Sequence, residues 1–180
     1  NGSLYVADRG NHSVRRIDLA DGSVETVLGT GRAGRARPDG ADARATALNT
    51  PVDVLAAGDD LFVSVAGQQQ MWRLDLPTGR VWVLAGSGEQ GLVDGIGTAA
   101  AFGAPAGLAL AGRQLIVADA QANALRAVSI DDGRVETLAA ERPAAQRFTI
   151  ACGYDAEGDT VSVYLTPTEG GTIPDAIVEN

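Results

Sequence analysis

The chain repeats itself, and the repeat limits what it can fold into. LYVADRGNHSVRRIDLADGSVETVLGTG (residues 4–31) aligns without a gap on LFVSVAGQQQMWRLDLPTGRVWVLAGSG (61–88), a shift of 57, with ten of 28 positions identical. A third copy, LIVADAQANALRAVSIDDGRVETL (115–138), follows after a further 54 residues. In each copy a β-rich run (Leu4–Ala7, Leu61–Val65, Leu115–Ala118) leads through a polar bend to a second (Val14–Leu19, Met71–Leu76, Leu125–Ile130). A turn, ADG, PTG or DDG, then places Gly22, Gly79 or Gly133 where a Cβ would oppose the backbone geometry. A third run follows (Val24–Leu28, Val81–Ala85, Val135–Ala139), and one more strand, PVDVLAA (51–57) or PAGLALA (105–111), precedes the second and third copies. Four short antiparallel strands per unit, evenly spaced between turn residues, predict a propeller blade.

The same alignment disposes of an apparent nucleotide site. GTGRAG (29–34) and GSGEQG (86–91) both fit the dinucleotide fingerprint, yet they occupy one repeat position, at the end of the blade's last strand. A dinucleotide-binding fold needs a helix opening at the third glycine. Pro38 follows Gly34 too closely for that, and LVDGIG after Gly91 cannot propagate a helix. The glycines read as turn punctuation, and no cofactor is expected.

Composition narrows the function classes. A net charge of −9 argues against nucleic acid or an anionic membrane as the main partner. All 14 basic residues are Arg, so a lysine Schiff base and a P-loop lysine are both excluded. A single Cys, Cys152, permits no internal disulfide, and its place in FTIACG predicts a buried small hydrophobe. No apolar run approaches the roughly 18 residues of a membrane-spanning helix. The opening NGSLYVAD has neither an initiator Met nor a signal-peptide pattern and reads as a chain entered mid-element. The compartment stays open between cytoplasm and periplasm.

The blade unit resembles the NHL-repeat β-propellers. The family pattern P-x-G-[LI]-A, LYVAD-x-x-N-H-x-[VI], D-x-x-[GT]-x-V is carried most fully by 4–29, through Asp8, Asn11, His12, Val14 and Gly22. Residues 105–128 also match, with Ala122 in place of the Asn, while Val65 and Gln68–Gln70 replace the D-x-x-N-H residues in the middle copy. The insertion GSGEQGLVDGIGTAAAFGAPAGLAL (86–110) is similar to that of bacterial NHL proteins carrying a thioredoxin-like domain. The resemblance implies an all-β, NHL-type propeller of about six blades that serves as a binding scaffold. About three four-stranded blades are present, so a fragment of a larger propeller is expected. Further blades of the same chain, or self-association, would close the ring. The expected organisation is an incomplete blade with a long loop (1–50), a second blade with a long loop (51–104), a third blade (105–140) and a β-rich tail (141–180). The tail shows two strands, 147–153 and 160–166, around an AEGD turn.

Candidate chemistry is sparse. His12 is the sole histidine, with Gln69 and Asn123 at its repeat positions, which favours a scaffold role over a general base or metal ligand. No catalytic or metal-binding set is assigned. Asp39-Gly40 and Asp94-Gly95 read as loop-fixing turns rather than calcium ligands. GRAGRARPDGADAR (31–44) holds four arginines but no aromatic for base stacking, which favours a solvated loop over RNA binding. In an antiparallel blade the loop after the second strand and the loop leaving the fourth share one face. That face is expected to gather His12, Arg35, Asp39, Gln68, Gln69, Gln70, Asp94 and Asn123 as the binding surface for a protein or small ligand. The rival reading is a lactonase-like hydrolase or lyase, for which the inner strands offer only Asp53 and whose active site would need further blades.

Overall fold

The computed structural model describes residues 2–140, 148–154 and 161–167. Among these residues the structure is all β, with short 3-10 turns and no α-helix. Residues 1–140 and 141–180 form two compact units. In the first, blade 1 is a three-stranded sheet, β1 (Ser3–Asp8), β2 (Ser13–Asp18) and β3 (Val24–Leu28). Blade 2 runs β5 (Pro51–Ala57), β6 (Asp60–Val65), β7 (Gln70–Asp75) and β8 (Arg80–Ala85), with β4 (Asp39–Asp42) added beyond β8. Blade 3 repeats this with β10 (Pro105–Ala111), β11 (Gln114–Asp119), β12 (Ala124–Ser129) and β13 (Arg134–Ala140), and β9 (Gly95–Ile96) lies beyond β13. In the second unit β14 (Phe148–Tyr154) pairs antiparallel with β15 (Val161–Pro167), each one residue on from its expected bounds. The AEGD turn and the side chain of Cys152 lie outside the described residues.

The strand β6 shows why such a blade needs a neighbour on each side. Successive side chains of a strand face opposite ways. Leu61, Val63 and Val65 join Val14 and Leu28 of blade 1, whereas Phe62 joins Leu115, Val117, Val128 and Val135 of blade 3. All four β6 side chains are fully buried. At ~1.5–3 kcal/mol for each large apolar side chain removed from water, these two inter-blade cores dominate the stability of the unit.

Both cores are completed by the long insertions, each of which also adds an edge strand to the four strands expected of its blade. After β3 the chain passes along the outer edge of blade 2 as β4, antiparallel to β8, before it reaches β5. The second insertion does the same with β9 against β13. An outer strand has a row of unpaired backbone groups, and the insertion satisfies part of that row. On its way back, the first insertion sets Ala43 and Leu48 into the core between blades 1 and 2. The second sets Ala100 and Phe102 into the core between blades 2 and 3. Among the described residues blade 1 has three strands, and β1 hydrogen-bonds β2 alone.

The glycines of the two fingerprint matches find their role in this path. Gly29 and Gly86 share a φ of 104°, and a Cβ there would collide with the backbone oxygen of His12 or of Gln69. Gly34 and Gly91 lie against the methyl groups of Ala47 and Ala101, within the returning insertions. Replacing Gly86 by Ala combines a disallowed backbone with a backbone collision and is expected to cost about 2–4 kcal/mol. Gly22 has a φ of 73° but open space around it, so Gly22→Ala is expected to cost only about 1 kcal/mol. Urea-unfolding midpoints of the two variants check this difference.

Candidate functional site

The bend that joins β1 to β2, β6 to β7 and β11 to β12 is built alike in all three blades. It ends on a left-handed residue: His12 (φ 48°), Gln69 (φ 51°) or Asn123 (φ 46°). The position is therefore constrained by its backbone, and three different polar side chains serve it.

The bend also holds down the chain that enters each inner strand. In blade 3 the fully buried Asp119 accepts hydrogen bonds from Gly103 N at 2.9 Å and Ala104 N at 2.7 Å, just ahead of Pro105. Blade 2 has Val65 at the position of Asp119, and two other acceptors take over. Gln68 Oε1 accepts from Asn49 N at 2.9 Å, and His12 Nδ1 accepts from Thr50 N at 3.2 Å, just ahead of Pro51. His12 thus belongs to the junction between blades 1 and 2, with its Nδ1 serving as an acceptor.

A second repeat position varies together with the first. Seven residues after each carboxylate stands an arginine: Asp8 with Arg15, and Asp119 with Arg126. Arg126 is fully buried and ties down the second insertion. It donates to Ala101 O at 3.0 Å, Val93 O at 2.9 Å and Asp94 Oδ1 at 2.9 Å, and its guanidinium carbon sits 5.0 Å above the Phe102 ring. Its Nε is the one buried side-chain polar atom without a partner among the described residues. The Asp94 carboxyl titrates below its ordinary range. Burial opposes the charge, and hydrogen bonds from Thr137 and Arg126 outweigh it. Blade 2 replaces the ion pair by Val65 and Trp72, both fully buried. Trp72 Nε1 donates to Gln70 Oε1 at 2.9 Å, and Gln70 Nε2 donates to Gly86 O at 3.2 Å.

This substitution creates a site found on blade 2. Arg35, Arg37, Gln68, Gln70 and Gly88 line a cleft of about 30 Å³. Gln68 and Gln70 are buried at 5% and 1% exposure, and each amide oxygen accepts one hydrogen bond. Gln68 Nε2 donates one hydrogen to Ala36 O at 2.7 Å, and Gln70 Nε2 donates one to Gly86 O. The second amide hydrogen of each has no protein acceptor. Arg35 and Arg37 are exposed, and neither pairs with a carboxylate among the described residues. Spare donors therefore predominate at this cleft: two guanidinium groups and two amide N–H groups, beside one free lone pair on each amide oxygen. A larger cleft of about 320 Å³ contains Arg16 and Arg44, but both pair with Glu25, at 3.3 Å and 2.9 Å.

Of the residues expected on one binding face, the structure brings Arg35, Gln68 and Gln70 together. Gln69 and Asn123 are left-handed bend residues, and Gln69 Nε2 donates to Ala66 O at 3.1 Å. Asp39 and Asp94 do not join the cleft. Asp39 opens β4 opposite Trp82, and Asp94 binds Arg126 and Thr137, because the insertion runs down the outer edge instead of staying over the loops. Sequence reasoning passed over Arg37, Asp119 and Arg126. The seven-residue Asp–Arg spacing, present in two copies and lost at both ends in the third, was the signal available for the last two.

Strand order, edge strands and anchored bends define three blades of a β-propeller. No family model matches the sequence. Human (Homo sapiens) NHL repeat-containing protein 2 is 34% identical over 162 aligned residues, covering 77% of this chain and 22% of that protein. An auxiliary nutrient binding protein from Bacteroides ovatus superposes with a TM-score of 0.55 at 20% identity, over 76% of this chain and 33% of that one. A candidate gluconolactonase gives a TM-score of 0.50 at 20% identity, over 92% of this chain and 57% of that one. The two structures share the fold. The chain is an NHL-repeat β-propeller segment, and it spans 14% to 22% of the length of the curated relatives it matches.

Asp119 and Arg126 are expected to behave as a coupled pair. Asp119→Val alone leaves a buried guanidinium short of a partner and costs about 3–5 kcal/mol. Adding Arg126→Met recovers part of that loss and leaves about 1–3 kcal/mol for the two orphaned N–H groups. A four-member denaturation cycle measures the coupling, and additive losses would contradict it.

Proposed function

We propose that this NHL segment is a non-catalytic binding module that takes a carboxylate group of a protein or small ligand at the loop end of blade 2. The observation that carries the reading is the donor-rich lining of the cleft: two guanidinium groups without carboxylate partners among the described residues and two buried amides with a spare N–H each. A planar carboxylate accepts from such a fork of donors, and guanidinium groups suit it best. The cleft's small volume admits the carboxylate head alone, so the remainder of the ligand lies across the loop face. Arg32, three residues before Arg35 in the sequence, adds positive charge to this insertion on an otherwise acidic chain. The absence of aromatics from 31–44 counts against a nucleic-acid ligand. The 86–110 insertion supports placing the segment in a polypeptide with a thioredoxin-like domain, where further blades would complete the ring. The lactonase-like alternative has less support. Asp53, its one inner-strand carboxylate, accepts from Val54 N and Leu108 N at 2.8 Å each and so bridges β5 to β10.

Calorimetric titration with a hexaglutamate peptide and with citrate tests the reading. Saturable binding is expected, weakened about tenfold or more by Arg35→Ala with Arg37→Ala, at unchanged thermal stability because both side chains are exposed. Added salt is expected to weaken binding as well. Binding that is indifferent to both arginines would refute the assignment.

A further inference from the structure

The space in the blade 2 cleft depends on one missing side chain. Gly88 lines the cleft with Arg35, Arg37, Gln68 and Gln70, at a φ of 86°. A Cβ on it would stand 3.0 Å from Nη2 of Arg37 and 3.5 Å from Nε2 of Gln70, so a side chain at this position would enter among the donors. The two amides are fixed in place. Gln68 is held between Asn49 N and Ala36 O, and Gln70 between Trp72 Nε1 and Gly86 O. Both are buried, and neither retreats without losing a bond. The space left, about 30 Å³, holds roughly two oxygen-sized atoms.

We propose that Gly88 sets the ligand class of this cleft: the two oxygens of a planar carboxylate pass it to reach both amides, and a tetrahedral oxyanion, a sulfonate or a phosphate, is held outside at the arginines. The inference rests on the carboxylate reading above and adds the shape that the cleft selects. A carboxylate is flat, and its two oxygens fill the space while accepting from the spare N–H of Gln68 and of Gln70. A tetrahedral head brings a third oxygen out of that plane, into room that the fixed amides do not yield. Guanidinium groups bind both kinds of anion. The arginines therefore supply attraction, and the space beside Gly88 supplies the choice. The same repeat position in blade 1 is Gly31, with a φ of 78° and nothing within 4 Å of its would-be Cβ. There the counterparts of the two glutamines are Asn11 and Ser13, which donate to Asp8 and to Asn11 O. The left-handed glycine is common to both blades, and the spare donors around it belong to blade 2.

Hexaglutamate and a hexapeptide of homocysteic acid form the probe pair. Their side chains have the same length and charge and differ in a carboxylate or a sulfonate head. Titrated into the full chain at one salt concentration, hexaglutamate is expected to bind about tenfold or more tighter. Gly88→Ala puts a methyl group into the cleft and should weaken hexaglutamate to the level of the sulfonate peptide. Gly31→Ala imposes a similar backbone strain away from the cleft and should keep the preference. The ratio of the two affinities is not moved by a general loss of stability, and thermal melts show whether each variant folds. Should Gly88→Ala not fold, the ratio in the unaltered chain decides. Equal affinity of the two peptides for the unaltered chain, or a preference that survives in Gly88→Ala, overturns the inference and leaves the carboxylate reading standing. Failure of the unaltered chain to bind hexaglutamate overturns both.

Discussion

The entry to each inner strand of this unit brings two backbone N–H groups into a buried or part-buried place, and the rest of the architecture follows from how they are satisfied. A buried N–H without a partner costs free energy comparable to the gain from an ordinary hydrogen bond, so such groups are rarely left alone. Blade 3 answers with one carboxylate, Asp119, which takes both. Blade 2 divides the task between Gln68 of its own bend and His12 of the preceding blade. The second solution makes the entry of β5 depend on blade 1, so the two blades share more than an apolar surface. Asp53 makes a further link of this kind, from β5 to the backbone of β10.

The division of labour in blade 2 leaves a different set of polar groups beside its insertion. With an apolar Val65–Trp72 pair in place of Asp and Arg, no buried guanidinium is present to grip the insertion. The insertion is instead held by Gln68 and by packing of Leu48 and Ala43. Gln68 and Gln70 each make one accepted and one donated hydrogen bond for this structural purpose, and each retains a spare N–H. Arg35 and Arg37 add charge to it. The cleft thus lies beside a structural substitution, on a frame whose sister blade has an ion pair at the positions of Val65 and Trp72.

The repeat made most of the fold legible. Shifts of 57 and 54 residues carry β1 onto β6 and β11, and β2 onto β7 and β12, with their bounds unchanged. The β5 and β10 strands were also readable, because alternation and turn glycines encode a strand locally. The edge strands β4 and β9 were not. Asp39–Asp42 and Gly95–Ile96 have no strand-like sequence, and they pair because the outer edge is there to receive them. For the same reason Asp39 and Asp94 read as loop-face residues although they run along the blade's edge. The repeat equivalents of His12 favoured a scaffold role, yet its bond to Thr50 spans 38 residues and left no local trace. Arg35 could be suspected from the sequence, whereas its convergence with Gln68 and Gln70 required the path of the insertion.

The most direct test of this account is native-state hydrogen exchange at Asn49, Thr50, Gly103 and Ala104. If side-chain anchors hold the inner-strand entries, these four loop amides exchange as slowly as the core amides of β6 and β11. His12→Ala then releases Thr50 while Asn49 stays protected, and Gln68→Ala does the reverse. Exchange of the four at the rate of an exposed loop, or a His12 variant that leaves Thr50 protected, would contradict the claim that these bends anchor the blades.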